Sequence, residues 1–213
     1  MQSFLLMQCL ALAGVASCDH TLIWMRGRNR KEKRAPVDWF RLHAVANVMI
    51  AGVSYPDLFS LVYEPGTGYL PACSEWPPQM GLALHLYHAI VYPMRRDDWL
   101  HHVLFVFGCG PLCYVAHCRA MSLYYLFCTG LPGGLDYAAL ALQKHNVISR
   151  QRRRTWVALN NAYFRMPGMS ICSFLVGCTF VRTGYLPLAL LSFLAYLNGC
   201  YYGKRAIEAV GQT

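Results

Sequence analysis

The chain predicts an all-α membrane protein of about seven transmembrane helices, with its N-terminus outside or lumenal and its C-terminus cytoplasmic. Three observations predict this class. The 213 residues are 56% apolar and 14% charged, with a mean hydropathy of +0.29, whereas a soluble domain carries about a quarter charged residues. Stretches of, or close to, the length that crosses ~30 Å of hydrocarbon recur along the chain, at 3–25, 38–63, 79–94, 98–117, 120–143, 155–181 and 184–203. The basic residues then alternate from loop to loop, 15 on one side of those crossings and 2 on the other. That is the positive-inside pattern.

The elements justify themselves in order. Stretch 3–25 lacks a basic N-terminal region, and Asp19, His20 and the basic run that follows suit a retained signal-anchor better than a cleaved signal peptide. The run Arg26, Arg28, Arg30, Lys31, Lys33 and Arg34 forms the first inner loop. Stretch 38–63 leads to an outer segment, Glu64 to Pro78, rich in proline and glycine; with Tyr69 and Trp76 it reads as an ordered cap at the interface. Its Cys73 is the candidate for oxidation. Stretch 79–94 is short, as a helix held against neighbours can be, and Arg95 and Arg96 close its inner bend. Stretches 120–143 and 155–181 hold Gly130-Leu131-Pro132-Gly133-Gly134 and Met166-Pro167-Gly168, so both helices are expected to be interrupted. Lys144, Arg150, Arg152, Arg153 and Arg154 lie between them, and Lys204 and Arg205 follow the last stretch. The chain divides as 1–37 (first helix and basic loop), 38–203 (six spans) and 204–213 (short tail).

The charge pattern excludes a nucleic-acid partner: no soluble domain presents the net +9, which sets topology and meets anionic headgroups instead. The ten cysteines are scattered without metal-ligand spacing. No metal is expected, because four histidines with one nearby carboxylate are too few ligands for a di-iron centre.

Polar side chains inside these stretches are the candidates for function. His101 and His102 stand one turn into the fourth stretch, and His85 and His88 share a helix face in the third. Asp136 and Arg165 lie at similar depth on antiparallel neighbours and should pair or share a polar cavity; Asn160, Asn161 and Asn198 fall in the same cytoplasmic half. All are expected to converge on one layer that opens to the cytoplasm. Imidazole serves as general base or as nucleophile near neutral pH, and acyl transfer from a thioester to an amine or alcohol uses both abilities.

The hairpin His85-Leu86-Tyr87-His88-Ala89-Ile90-Val91-Tyr92-Pro93, then Asp97-Asp98-Trp99-Leu100-His101-His102-Val103-Leu104-Phe105, resembles the core of the TLC-domain family, which includes ceramide synthases and translocon-associated membrane proteins. The resemblance implies a six-helix membrane barrel preceded by one N-terminal helix, an endoplasmic-reticulum location and catalysis by His101 and His102 with acyl-CoA as co-substrate. His85, His88, Asp136, Arg165, Asn161 and Asn198 would then bind substrate or shape the site. Val103-Leu104-Phe105 departs from the continuation of the synthase motif, and Asp136 is the one acid in the last three stretches. Four functions follow as expectations: an acyl-CoA-dependent acyltransferase acting on a lipid amine or alcohol; a non-catalytic lipid-binding protein; an accessory subunit of a membrane complex; and a seven-span transporter. Membrane lipids, membrane-protein partners or a second copy are the expected partners, with no bound cofactor.

Overall fold

The computed structural model describes residues 2–25, 36–94, 99, 102–116 and 118–211. The basic run 26–34 and the bend at 95–98 lie outside them. Among the described residues the chain is helical throughout, without a strand. Seven rods can be followed: α1 (Gln2–Met25), α2 (Pro36–Tyr63), α3 (Trp76–Val91), α4 (102–115), α5 (119–144), α6 (Arg150–Thr183) and α7 (Leu186–Gly211). Each expected stretch overlaps one of them. Three helices are long and apolar enough to cross a membrane: Ser3–Met25, Val37–Tyr63 and Arg150–Thr183. The apolar part of α4, Phe105–Val115, is shorter.

Packing follows a closed circuit. α2 meets α3, α3 meets α4, α4 meets α7, α7 meets α6, α6 meets α5, and α5 returns to α2, while α1 lies against α3 and α2. The main core fills the circuit with Ile50, Phe105, Tyr125, Met169, Val176 and Leu191. A second cluster, including Val15, Trp39, Leu42, Leu84 and Tyr87, seals α1 onto α2 and α3. On the outside, Val62, Ile90, Phe107, Phe174, Val181 and Leu186 point away from the protein, each well over half exposed. So much outward apolar surface suits lipid or a partner.

Small residues set the closest approaches. A Cβ on Gly130 would meet Ala51 at 3.1 Å, and one on Gly134 would meet Val48 at 3.3 Å, so α5 lies against α2 through a glycine pair four residues apart. A Cβ on Gly168 would fall within the ring of Phe127, which therefore packs on bare backbone. Between α6 and α7, Ser173 Oγ donates to the Ser192 carbonyl and Ser192 Oγ to the Ser173 carbonyl, each at 2.8 Å. Gly184 takes φ +69° to end α6, its N–H bonding the Phe180 carbonyl.

The interruptions expected in two stretches are not breaks. α4, α5 and α6 each run through a widened π turn, at Leu104–Cys109, Tyr125–Gly130 and Asn161–Arg165. In each case the residue before a proline (Gly110, Leu131 or Met166) bonds the carbonyl five residues back. Pro111, Pro132 and Pro167 supply the cause: the ring has no N–H to give and clashes with the carbonyl four residues earlier. Taking in one extra residue moves that carbonyl aside and keeps the helix continuous.

The outer segment is ordered, as its turn residues suggest. A 3₁₀ turn at Pro65–Thr67 leads to Gly68 and Leu70, whose carbonyls accept from the N–H groups of Ala120 and Arg119 at 3.1 and 2.9 Å. Arg182 covers the Tyr69 ring at 3.7 Å. Asp57, fully buried near the end of α2, accepts from the Cys73 N–H at 2.8 Å. The same carboxylate, and then burial, hold the Cys73 thiol above the ordinary cysteine range. That works against the thiolate which oxidation requires. All ten cysteines are free thiols.

Candidate functional site

Two polar clusters form at the end of the bundle opposite this cap. The first belongs to α1–α4. His85 and His88, three residues apart on α3, both turn to His102 in the first turn of α4, with ring centroids 4.9 and 4.7 Å away. His43 of α2 approaches His88 at 5.9 Å. All four imidazoles are buried. Ring packing makes that tolerable: His85 stacks on Phe105 at 4.0 Å and His88 on Trp39 at 3.4 Å, while His43 lies 4.2 Å from Tyr137. His85 Nδ1 donates to the Gly81 carbonyl at 2.7 Å, which leaves Nε2 as its basic atom.

A carboxylate completes this cluster. Asp19 of α1, fully buried, accepts from the phenols of Tyr87 and Tyr92 at 2.7 and 2.6 Å. Tyr92 carries its ring on to within 6.1 Å of His88. The sequence pattern assigns Asp19 to a signal-anchor and does not point to its contacts here, nor to those of Trp39, His43, Tyr87 and Tyr92. One signal was present: an aspartate well inside an apolar stretch needs a partner.

The second cluster belongs to α5–α7. Arg165 Nη2 stands 3.3 Å from Asp136 Oδ2, and Arg165 Nη1 donates to Asn161 Oδ1 at 3.1 Å. Asn160 Nδ2 donates to Asp136 Oδ1 at 2.7 Å and to the Pro132 carbonyl at 2.8 Å. Tyr202 of α7 covers the guanidinium at 5.0 Å. The π turn at Asn161–Arg165 is what carries Asn161 and Arg165 inward. Asn198 is half-buried on α7, its amide oxygen without a hydrogen-bond partner among the described residues. A cleft of about 480 Å³ opens between α5 and α6, with apolar walls and Asp136 and Asn160 among its lining.

The single shared layer expected from the sequence is therefore two. Asp136 joins the α6 and α7 side, while its neighbour Tyr137 turns to His43 and Trp39. Successive helix residues differ by about 100° in direction, so equal depth did not mean a common face. His101 lies outside the described residues. Among the described residues no three His, Cys, Asp or Glu side chains are grouped to hold a metal ion.

Compared with family models, with curated proteins and with solved structures, the chain matches none.

Proposed function

We propose that the protein is an integral membrane protein with seven spans that transfers an acyl group from acyl-CoA to a lipid amine or alcohol. One observation carries the reading: His85 and His88 of α3 each bring a buried imidazole ring to within 5 Å of the buried ring of His102 on α4. Imidazole can serve as general base or as nucleophile. His102 is the reacting group. Its imidazole attacks the thioester carbonyl, the C–S bond breaks, and the thiol of CoA leaves with a proton. The amine or hydroxyl of the acceptor then attacks the acyl-imidazole, loses its own proton to the departing ring, and restores His102. His85, with Nε2 as its basic atom, accepts and returns protons beside it.

Supporting observations are the six-helix circuit with α1 outside it, the apolar exterior and His102 in the first turn of α4. The alternation of basic loops along the sequence favours a cytoplasmic position for the histidine cluster, where acyl-CoA would be met. The endoplasmic reticulum follows from the family likeness. A second reading is favoured by the stacking of His85 on Phe105 and His88 on Trp39. Here the rings serve packing and the protein binds lipid without turning it over.

The test is CoA release by the full chain in nanodiscs, given long-chain acyl-CoA and a panel of long-chain amines and alcohols. The expected result is turnover that disappears in His102→Ala, with an acyl adduct on His102 trapped when the acceptor is withheld. Lipid retained at purification with no turnover by the unaltered protein would establish the second reading instead.

A further inference from the structure

The start of α6 carries charges of the wrong sign. Arg150, Arg152, Arg153 and Arg154 take four of its first five positions, and its first turn contains no acidic residue. The Ser149 hydroxyl caps the helix, accepting from the Arg152 N–H at 3.1 Å. A helix N-terminus is a positive pole and favours anions. Four like charges within five residues also repel one another. Asp136 is already engaged by Arg165. Arg153 is half-buried, and its Nε is buried without a hydrogen-bond partner among the described residues.

Immediately below lies the α5–α6 cleft. Its volume of about 480 Å³ falls within the ~300–1,000 Å³ typical of ligand clefts. Leu135, Leu142, Trp156, Leu159, Tyr163 and Phe164 make it apolar. Trp156 joins the two features, since it lines the cleft and has the Arg152 guanidinium 5.4 Å above its ring. A crowd of cations thus sits at the head of an apolar slot between two helices.

We propose that this cleft is a binding site for an anionic phospholipid of the surrounding leaflet. One acyl chain lies between α5 and α6, and the phosphate is held by Arg152 and Arg153 at the N-terminus of α6. Charge complementarity selects the headgroup: the phosphate relieves the arginine repulsion, meets the helix dipole and gives Arg153 Nε an acceptor. The apolar walls select a lipid over a soluble anion, which would leave the slot unfilled. The site stands apart from the histidines, and its test reads binding, not turnover.

The experiment is native mass spectrometry of the full chain released from micelles, with phosphatidate, phosphatidylserine or phosphatidylcholine added at equal concentration. A parallel thermal-unfolding arm uses inorganic pyrophosphate. The expected result is retention of one phosphatidate or phosphatidylserine in preference to phosphatidylcholine, with no stabilisation by pyrophosphate. Arg152→Gln/Arg153→Gln, which alters exposed and half-buried ends of side chains, should lower that preference by roughly thirtyfold, each of the two arginines near the surface adding ~1 kcal/mol. Leu159→Trp, which fills the slot, should reduce retention of every lipid.

Equal retention of the three lipids would overturn the proposal, as would an anionic preference that survives the double arginine substitution. Stabilisation by pyrophosphate that phosphatidate cannot exceed would show a soluble-anion site instead. Full retention by a folded Leu159→Trp would remove the chain from the cleft. Should that variant fail to fold, the arginine pair still decides.

Discussion

The two polar clusters on either side of α5 solve one problem in opposite ways. Around His102 the polar groups are rings that can be neutral, and aromatic faces cover them: Trp39, Phe105 and Tyr137 meet His88, His85 and His43. Around Asp136 the groups include a charged pair with hydrogen bonds on both partners, Asn160 on the carboxylate and Asn161 on the guanidinium, and the Tyr202 ring covers the guanidinium. The difference is one of desolvation. A neutral imidazole loses little on leaving water if one nitrogen keeps a bond, as His85 Nδ1 does to Gly81. A buried ion pair needs its remaining lone pairs and protons satisfied as well. Asp19, held by two phenols, brings the second solution into the histidine side.

The largest expected effect tests the charged side. Arg165→Met leaves Asp136 buried beside two amides and should lower unfolding stability by about 3–5 kcal/mol, read by chemical denaturation in micelles. Adding Asp136→Asn should recover most of that loss, because the penalty belongs to the orphaned charge. A double variant as unstable as the single one would mean that packing, not charge, holds α5 to α6.

Next comes the carboxylate on the histidine side. Tyr87→Phe and Tyr92→Phe each remove a donor from Asp19, and each should cost about 1–3 kcal/mol by the same measurement. A loss as large as that of Arg165→Met would erase the contrast between the two sides.

The smallest effect should come from a ring-for-ring exchange. His85→Phe keeps the stack on Phe105 and gives up one bond to Gly81, so stability should fall by about 1 kcal/mol. CoA release should nevertheless drop in this variant if His85 moves protons for His102. Unchanged turnover with unchanged stability would assign His85 to packing alone.

Much of this was legible beforehand. Hydropathic length marked stretches that overlap the seven helical rods of the described residues, three of which are long and apolar enough to cross a membrane. Depth counted along the helices brought Asp136 opposite Arg165, and that pair forms at 3.3 Å. The outer segment read as ordered from its prolines and glycines, and it is tied down by backbone bonds to Arg119 and Ala120. The expectation of two interrupted helices reflected a real stress with a different outcome: the prolines open π turns instead of breaks. That choice depends on whether the displaced carbonyls stay covered by neighbouring helices, which no local pattern states. Asp19 was visible as an anomaly, but its phenol partners lie 68 and 73 residues away.

By itself, then, the sequence determined the class: which stretches are helices, which loops are basic, and which polar residues share a depth. Those properties are sums along the chain. Azimuth was decided only by the tertiary structure. One residue of rotation sends Asp136 towards Arg165 and Tyr137 towards His43, and each π turn adds a further ~100° that no fixed 3.6-residue period carries forward. Which polar groups meet depends on that rotation and on the order in which the helices close their circuit. The separation of the histidines from the ion pair, and the cleft beneath the arginines, therefore appear only once the helices are packed.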